Sequence, residues 1–140
     1  MGSWNTEPGL SHVGAYQVSG TPFASGSIVA LHGNRPGGYE VVFPYVTRWF
    51  KIVNKDTSND CKVAFSVSGM TGSFNFFTVP RADADANGTV GDSGVLELKV
   101  SSVWVSGSTD VDVVAGLTNI GSSRTATSQG SNWSGSVGVG

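Results

Sequence analysis

In several segments between Tyr39 and Leu117 apolar residues recur at every second position, and almost nothing recurs at the helical spacing. Val63, Phe65 and Val67 alternate with Lys62, Ala64 and Ser66. Leu96, Leu98 and Val100 alternate with Glu97 and Lys99. Val111, Val113, Ala115 and Leu117 stand opposite Asp110 and Asp112. A period of two is the signature of strands with one face buried. Nearly every stretch of ten residues also holds a Gly, a Pro or a β-branched run that a helix disfavours. The 20 glycines, mixed with Ser, Thr and Val, describe many turns between short strands.

Short candidates at Tyr16–Ser19 and Ser27–Leu31 are separated by Gly20-Thr21-Pro22. His32–Gly38 is a turn cluster. The strongest strand region is Tyr39–Asn54, and Pro44 divides it because proline cannot donate to a ladder. Lys55–Asp60 reads as a polar turn. Strands follow at Lys62–Ser68, Ser73–Val79, Val95–Ser101, Val103–Val105 and Asp110–Leu117, with Gly69–Gly72 a turn and Pro80–Gly94 a long polar loop. About eight strands with regular turn signals predict an all-β, antiparallel sandwich or barrel. Strand number alone suggests a jelly roll without fixing the topology. The expected core is Val63, Phe65, Val67, Leu96, Leu98, Val100, Val111 and Val113.

The 140 residues suit one domain, and a chain of this size buries roughly two-thirds of its unfolded surface. Three parts are expected: an N-terminal extension over 1–13, one β domain over 14–120, and a Ser/Gly-rich tail over 121–140 that is flexible or ordered by partners. Charged residues are 13% and the net charge is −2, with the eight Lys and Arg scattered. Binding to nucleic acid through phosphate neutralisation is therefore not expected. The polar start, with Glu7 and Pro8, lacks the features of a signal peptide, and no apolar run is long enough to span a membrane. The single Cys61 allows no internal disulfide, which fits assembly in a reducing compartment.

Chemistry-bearing patterns are few. Asp83-Ala84-Asp85-Ala86-Asn87-Gly88 matches the opening of a calcium loop, but Gly94 stands where a bidentate Glu is needed and no helices flank it. A solvated loop without structural calcium is expected. His12 and His32 each stand alone, with no metal-ligand spacing. There is no Gly-x-Ser-x-Gly elbow, and Cys61 reads as a packed strand residue. The sequons at Asn87 and Asn132 read as accidental. No catalytic, cofactor or metal site is expected.

The tryptophans Trp4, Trp49, Trp104 and Trp133 serve either as sugar-stacking platforms or as core and interface anchors. Trp49 and Phe50 point to opposite faces, as do Trp104 and its valine neighbours, so one residue of each set meets something outside the core. Aromatics on an outer face mark an interface. Arg48 falls in phase with Val46, Phe50 and Ile52, so its charge must be paired or solvated. A neighbour's carboxylate, a salt bridge within the domain and solvation at a sheet edge all meet that need. Tyr45, Arg48, Trp49 and Trp104 are the candidate subunit interface.

A set of segments in fixed order also carries a likeness. These are Gly14–Phe23, Phe43–Asn54, Lys62–Ser66, Asn75–Phe77, Leu96–Val100 and Ala115–Thr118. Together they resemble the small penton proteins of large icosahedral double-stranded DNA viruses of algae, chlorella-virus type, over most of residues 14 to 118. The resemblance implies a single eight-stranded antiparallel jelly roll and a structural capsid role. It further implies a homopentamer at each fivefold vertex, beside neighbouring major capsid protein capsomers, in virions assembled in the host cytoplasm. The alternatives are a carbohydrate-binding or host-recognition module, a capsid decoration protein and, least supported by the residues, a small hydrolase.

Overall fold

The computed structural model describes residues 21–31, 38–82, 91–127, 130–131, 133 and 137–139. The strands are β1 (Thr21–Ile28), β2 (Tyr39–Val42), β3 (Tyr45–Asn54), β4 (Cys61–Ala64), β5 (Phe77–Val79), β6 (Gly91–Asp92), β7 (Ser102–Ser106) and β8 (Val111–Gly121). A short helix α1 (Val67–Thr71) lies between β4 and β5, and a 3-10 turn (Ser122–Thr125) follows β8. A small pair, β9 (Ala126–Thr127) and β10 (Gly130–Ser131), comes after it. The expected strand at Tyr16–Ser19 lies outside the described residues.

Two antiparallel four-stranded sheets carry the fold, in the orders β1-β8-β3-β6 and β2-β7-β4-β5. The pairs β1–β8, β2–β7, β3–β6 and β4–β5 nest inside one another, as in a long hairpin ribbon folded across itself. Both sheets feed one hydrophobic cluster. Ile28, Phe50, Ile52, Val111, Val113, Ala115 and Leu117 come from the first, and Val41, Cys61, Val63, Val79, Val103 and Val105 from the second. Phe43 lies between Phe23, edge-to-face at 5.0 Å, and Phe50 at 6.5 Å.

Pro44 divides the Tyr39–Asn54 region as expected, and the division is also a crossing point: β2 and β3 belong to different sheets. Pro22, expected in a turn, sits inside β1 opposite Gly116. β1 is an edge strand, where a missing N–H costs no ladder bond on the solvent side.

Two expected strands are corrected. The alternation over Lys62–Ser68 ends at Ala64, because Ser66 caps α1: its Oγ accepts the Gly69 N–H at 2.9 Å, and its carbonyl accepts the Met70 N–H at 3.0 Å. Val67 therefore leaves the core and is 42% exposed. Residues 95–101 run beside β3 without forming a strand. The bonds Leu96–Phe50 and Thr47–Val100 keep the antiparallel sense. Between them, however, β3 bulges, its register passing from Thr47↔Leu117 to Trp49↔Gly116 with Arg48 extra. The Thr47 hydroxyl substitutes for ladder groups, donating to the Leu98 carbonyl at 2.6 Å and accepting the Val100 N–H at 3.1 Å. Gly94, at φ +72°, starts the irregular stretch in a conformation that favours glycine. Leu98 is consequently 41% exposed, Leu96 is half-buried and Val100 stays inside. Phe65 is half-buried against the core, while Val63, Val111 and Val113 are fully buried as expected.

At the opposite end the 55–60 turn is held by Asp56. Its carboxylate accepts from the Asn59 side chain at 3.0 Å, the Thr109 hydroxyl at 2.7 Å and the backbone N–H groups of Thr109, Ser58 and Asn59. These donors hold its pKa well below the ordinary carboxylate range, the Asn59 amide first and Thr109 next. A carboxyl depressed in the folded state contributes stability that is present above its unfolded value, near pH 4, and is lost as pH falls below that. Denaturant unfolding across a pH series should therefore show falling stability below about pH 4. Asp56→Asn should be less stable at neutral pH and show a shallower acid limb. An unchanged acid limb in Asp56→Asn would remove Asp56 as its source.

Candidate functional site

The outward face of β3 brings together three of the four expected interface residues. Tyr45 opens the strand opposite Gly121 and is 42% exposed. Arg48 stands at the bulge, and Trp49 follows half-buried, opposite Gly116. The bulge supplies the odd residue that turns Phe50 and Ile52 inward while Trp49 faces out.

The bulge also answers the question posed by Arg48. The side chain leaves the apolar phase of Phe50 and Ile52, and its Nη1 meets Glu97 Oε1 at 3.1 Å. Glu97 is aimed there by the irregular 95–100 segment, whose Leu98 N–H bonds to the Leu96 carbonyl in a γ-turn. The charge is thus met within the chain, by the plainer of the solutions open from sequence. Two more cations of the same region are paired in the same way. Lys51 reaches Asp92 at 2.7 Å, and Lys55 lies 3.2 Å from both Asp110 and Asp112. Lys51, together with the Gly94 N–H, lowers the Asp92 pKa. Asp112 and Asp110 raise that of Lys55. Exposed pairs of this kind add little stability, but they fix where charge sits on this face.

Trp104 is corrected as an exposed anchor. It does face away from the main core, between Val103 and Val105, but α1 covers it. The ring packs with Ala64 and Met70 and is only 9% exposed. Lys62 holds that cover in place. Its ammonium donates to the Met70 and Gly72 carbonyls at the helix end and lies 4.2 Å from the Phe76 ring centre.

Sequence reasoning missed the protrusion that follows. Phe74, between Ser73 and Asn75, is 90% exposed, which strand alternation over Ser73–Val79 did not suggest because only Phe77–Val79 is strand. It also missed that part of the Ser/Gly-rich tail lies on the body: the Trp133 indole packs against the core cluster and donates to the Phe65 carbonyl at 2.7 Å. The one available signal was a lone tryptophan in an otherwise small and polar segment.

Burial pushes the Cys61 thiol up to about 11, so it is not poised as a nucleophile. Among the described residues no group of three His, Cys, Asp or Glu side chains is placed to hold a metal ion. The Asp83–Gly88 motif, both histidines, Trp4 and both sequon asparagines lie outside the described residues. No helix among the described residues is long and apolar enough to cross a membrane. The arrangement offers contact surfaces: an aromatic strip with fixed charges on β3, and an exposed aromatic loop beyond α1. Comparison with protein-family models, curated proteins and solved structures returns no match.

Proposed function

We propose that this chain is a single jelly roll that serves as a shell-building subunit, five copies closing into a ring at the fivefold vertices of an icosahedral virion. The carrying observation is the nested strand order, β1-β8-β3-β6 over β2-β7-β4-β5. A ribbon of antiparallel pairs wrapped into two sheets is the jelly-roll design used by many capsid domains. Its alternating inward residues make a rigid body, and its loops and outer faces stay free to meet neighbours. The likeness of residues 14 to 118 to algal-virus penton proteins points the same way.

A closed ring joins unlike patches of successive copies. The β3 strip with Tyr45 and Trp49 is one such patch, and Trp49 is the anchor on it. Arg48 is committed to Glu97 and acts by placing charge rather than by a fork to the next copy. Neighbouring major capsid capsomers would surround the ring.

The experiment is to locate the protein in the virion and count its copies per vertex, together with the mass of purified oligomers. Five copies at fivefold positions are expected. A position on capsomer faces would favour a decoration protein instead, and a location outside the virion would end the proposal. Trp49→Ala should weaken ring association by tenfold or more, as loss of an interface anchor does, while the unfolding midpoint of the isolated chain moves little. An equal loss of fold and ring would assign Trp49 to packing alone.

A further inference from the structure

The two most exposed large apolar side chains among the described residues, Val137 and Phe74, stand at the same end of the molecule. Val137 borders an open groove of about 310 Å³ together with Leu98 and Trp133. Phe74 borders a second, of about 210 Å³, together with Phe76 and Phe77. The two grooves meet at Phe65 and Gly138. Phe76 and Leu98 are exposed as well, so this surface is one apolar patch and not a scatter of single residues. Among the described residues only Asn75 and Lys99 bring polar side chains to the groove walls. The protruding loop is held from behind. The Lys62 ammonium bonds the Met70 and Gly72 carbonyls and lies over the Phe76 ring, and Ser66 caps α1.

We propose that this end docks on the surface of an anionic lipid bilayer, with Phe74 entering among the acyl chains. Charge complementarity favours that occupant. From Cys61 to Pro80 the chain carries a single charge, Lys62, and Lys99 stands on the first groove. No carboxylate among the described residues lines either groove. Asp56 and Asp60 precede β4, whereas α1 and the loop follow it, and Glu97, next to Leu98, is paired with Arg48. A chain of net charge −2 thus turns cations and apolar side chains together to one side. Proteins that lie on anionic membranes bind through that combination, buried apolar area adding to attraction for the headgroups. The groove walls also favour lipid over a protein partner. A protein interface carries roughly one hydrogen bond per 100–200 Å², and these walls offer few groups to make them, whereas acyl chains need none. One copy presents the whole patch, so the inference does not rest on the ring.

Flotation of the full-length chain with lipid vesicles tests this. Vesicles of phosphatidylcholine with added phosphatidylserine should carry the protein about tenfold better than phosphatidylcholine alone, and high salt should remove that difference. Phe74→Ser should weaken partition by about tenfold, since it removes the aromatic ring that enters the bilayer. Circular dichroism checks that this variant stays folded, as an exposed position leads one to expect. Phe74→Trp should bind like the wild type, and bromine on the lipid acyl chains should quench the added emission. Phe74→Ser partitioning like the wild type would overturn the proposal, as would equal partition into the two kinds of vesicle. An unquenched Phe74→Trp would place the side chain outside the acyl region and overturn it too. A wild-type chain that ignores both vesicles but self-associates, and loses that association in Phe74→Ser, would assign the patch to a protein contact instead. None of these results bears on the vertex count, which decides the ring separately.

Discussion

Phe50→Ala should lose about 3–5 kcal/mol of stability, the range for removing a fully buried phenyl ring. That is about a fifth or more of the roughly 5–15 kcal/mol that holds a domain together. Phe50 is fully buried and joins Phe43 at 6.5 Å to Phe65 at 6.3 Å, linking the first sheet to the turn out of β4. Its backbone also anchors the irregular edge, exchanging both bonds with Leu96. Loss of the ring opens a cavity that strands on both sides cannot close without moving. Denaturant unfolding should show a much lower midpoint at an unchanged slope. Phe74→Ala, which removes a ring of the same size from solvent, should change stability by less than about 0.5 kcal/mol. Similar losses in the two variants would mean that the shared core is misassigned.

Asn54→Ala is expected to rival that loss through polar chemistry. Asn54 is fully buried at the end of β3, and its amide meets four groups. It donates to the Asn59 and Val79 carbonyls, and it accepts from the Ser108 hydroxyl and the Asp56 N–H. Those groups belong to the 55–60 turn, to β5 and to the connection between β7 and β8. One side chain thus closes an end of the fold at which both sheets meet. Removing it strands several buried polar groups, each costing about 1–3 kcal/mol when left without a partner. A net loss of about 3 kcal/mol allows for relaxation and entering water. Asn54→Asp should do no better, because a carboxylate cannot donate to the two carbonyls. Full stability in Asn54→Asp would show that those two bonds contribute nothing.

The candidate interface was legible where local pattern decides and illegible where distant segments do. Trp49 beside the core residue Phe50 already implies an outward tryptophan, since neighbours on a strand face opposite ways. Trp104 obeys the same rule, yet its outward face is roofed by α1, a helix of five residues too short to leave a period. Arg48 had to find a partner, but nothing local names Glu97, 49 positions away, because a bulge and a γ-turn jointly aim the two side chains.

The sequence by itself determined the β class, the Pro44 break and most of the inward residues, because the period of two and the missing N–H of proline act within a few residues. It also carried the Asp56 turn, whose Asp-Thr-Ser-Asn run satisfies its own backbone. Only the tertiary structure decided which strands pair, that β2 and β3 part into different sheets, and that 95–101 is an edge rather than a strand. Pairing depends on hydrogen bonds and shared burial between residues far apart in the chain, and alternation says which side of a strand is buried but never against which partner.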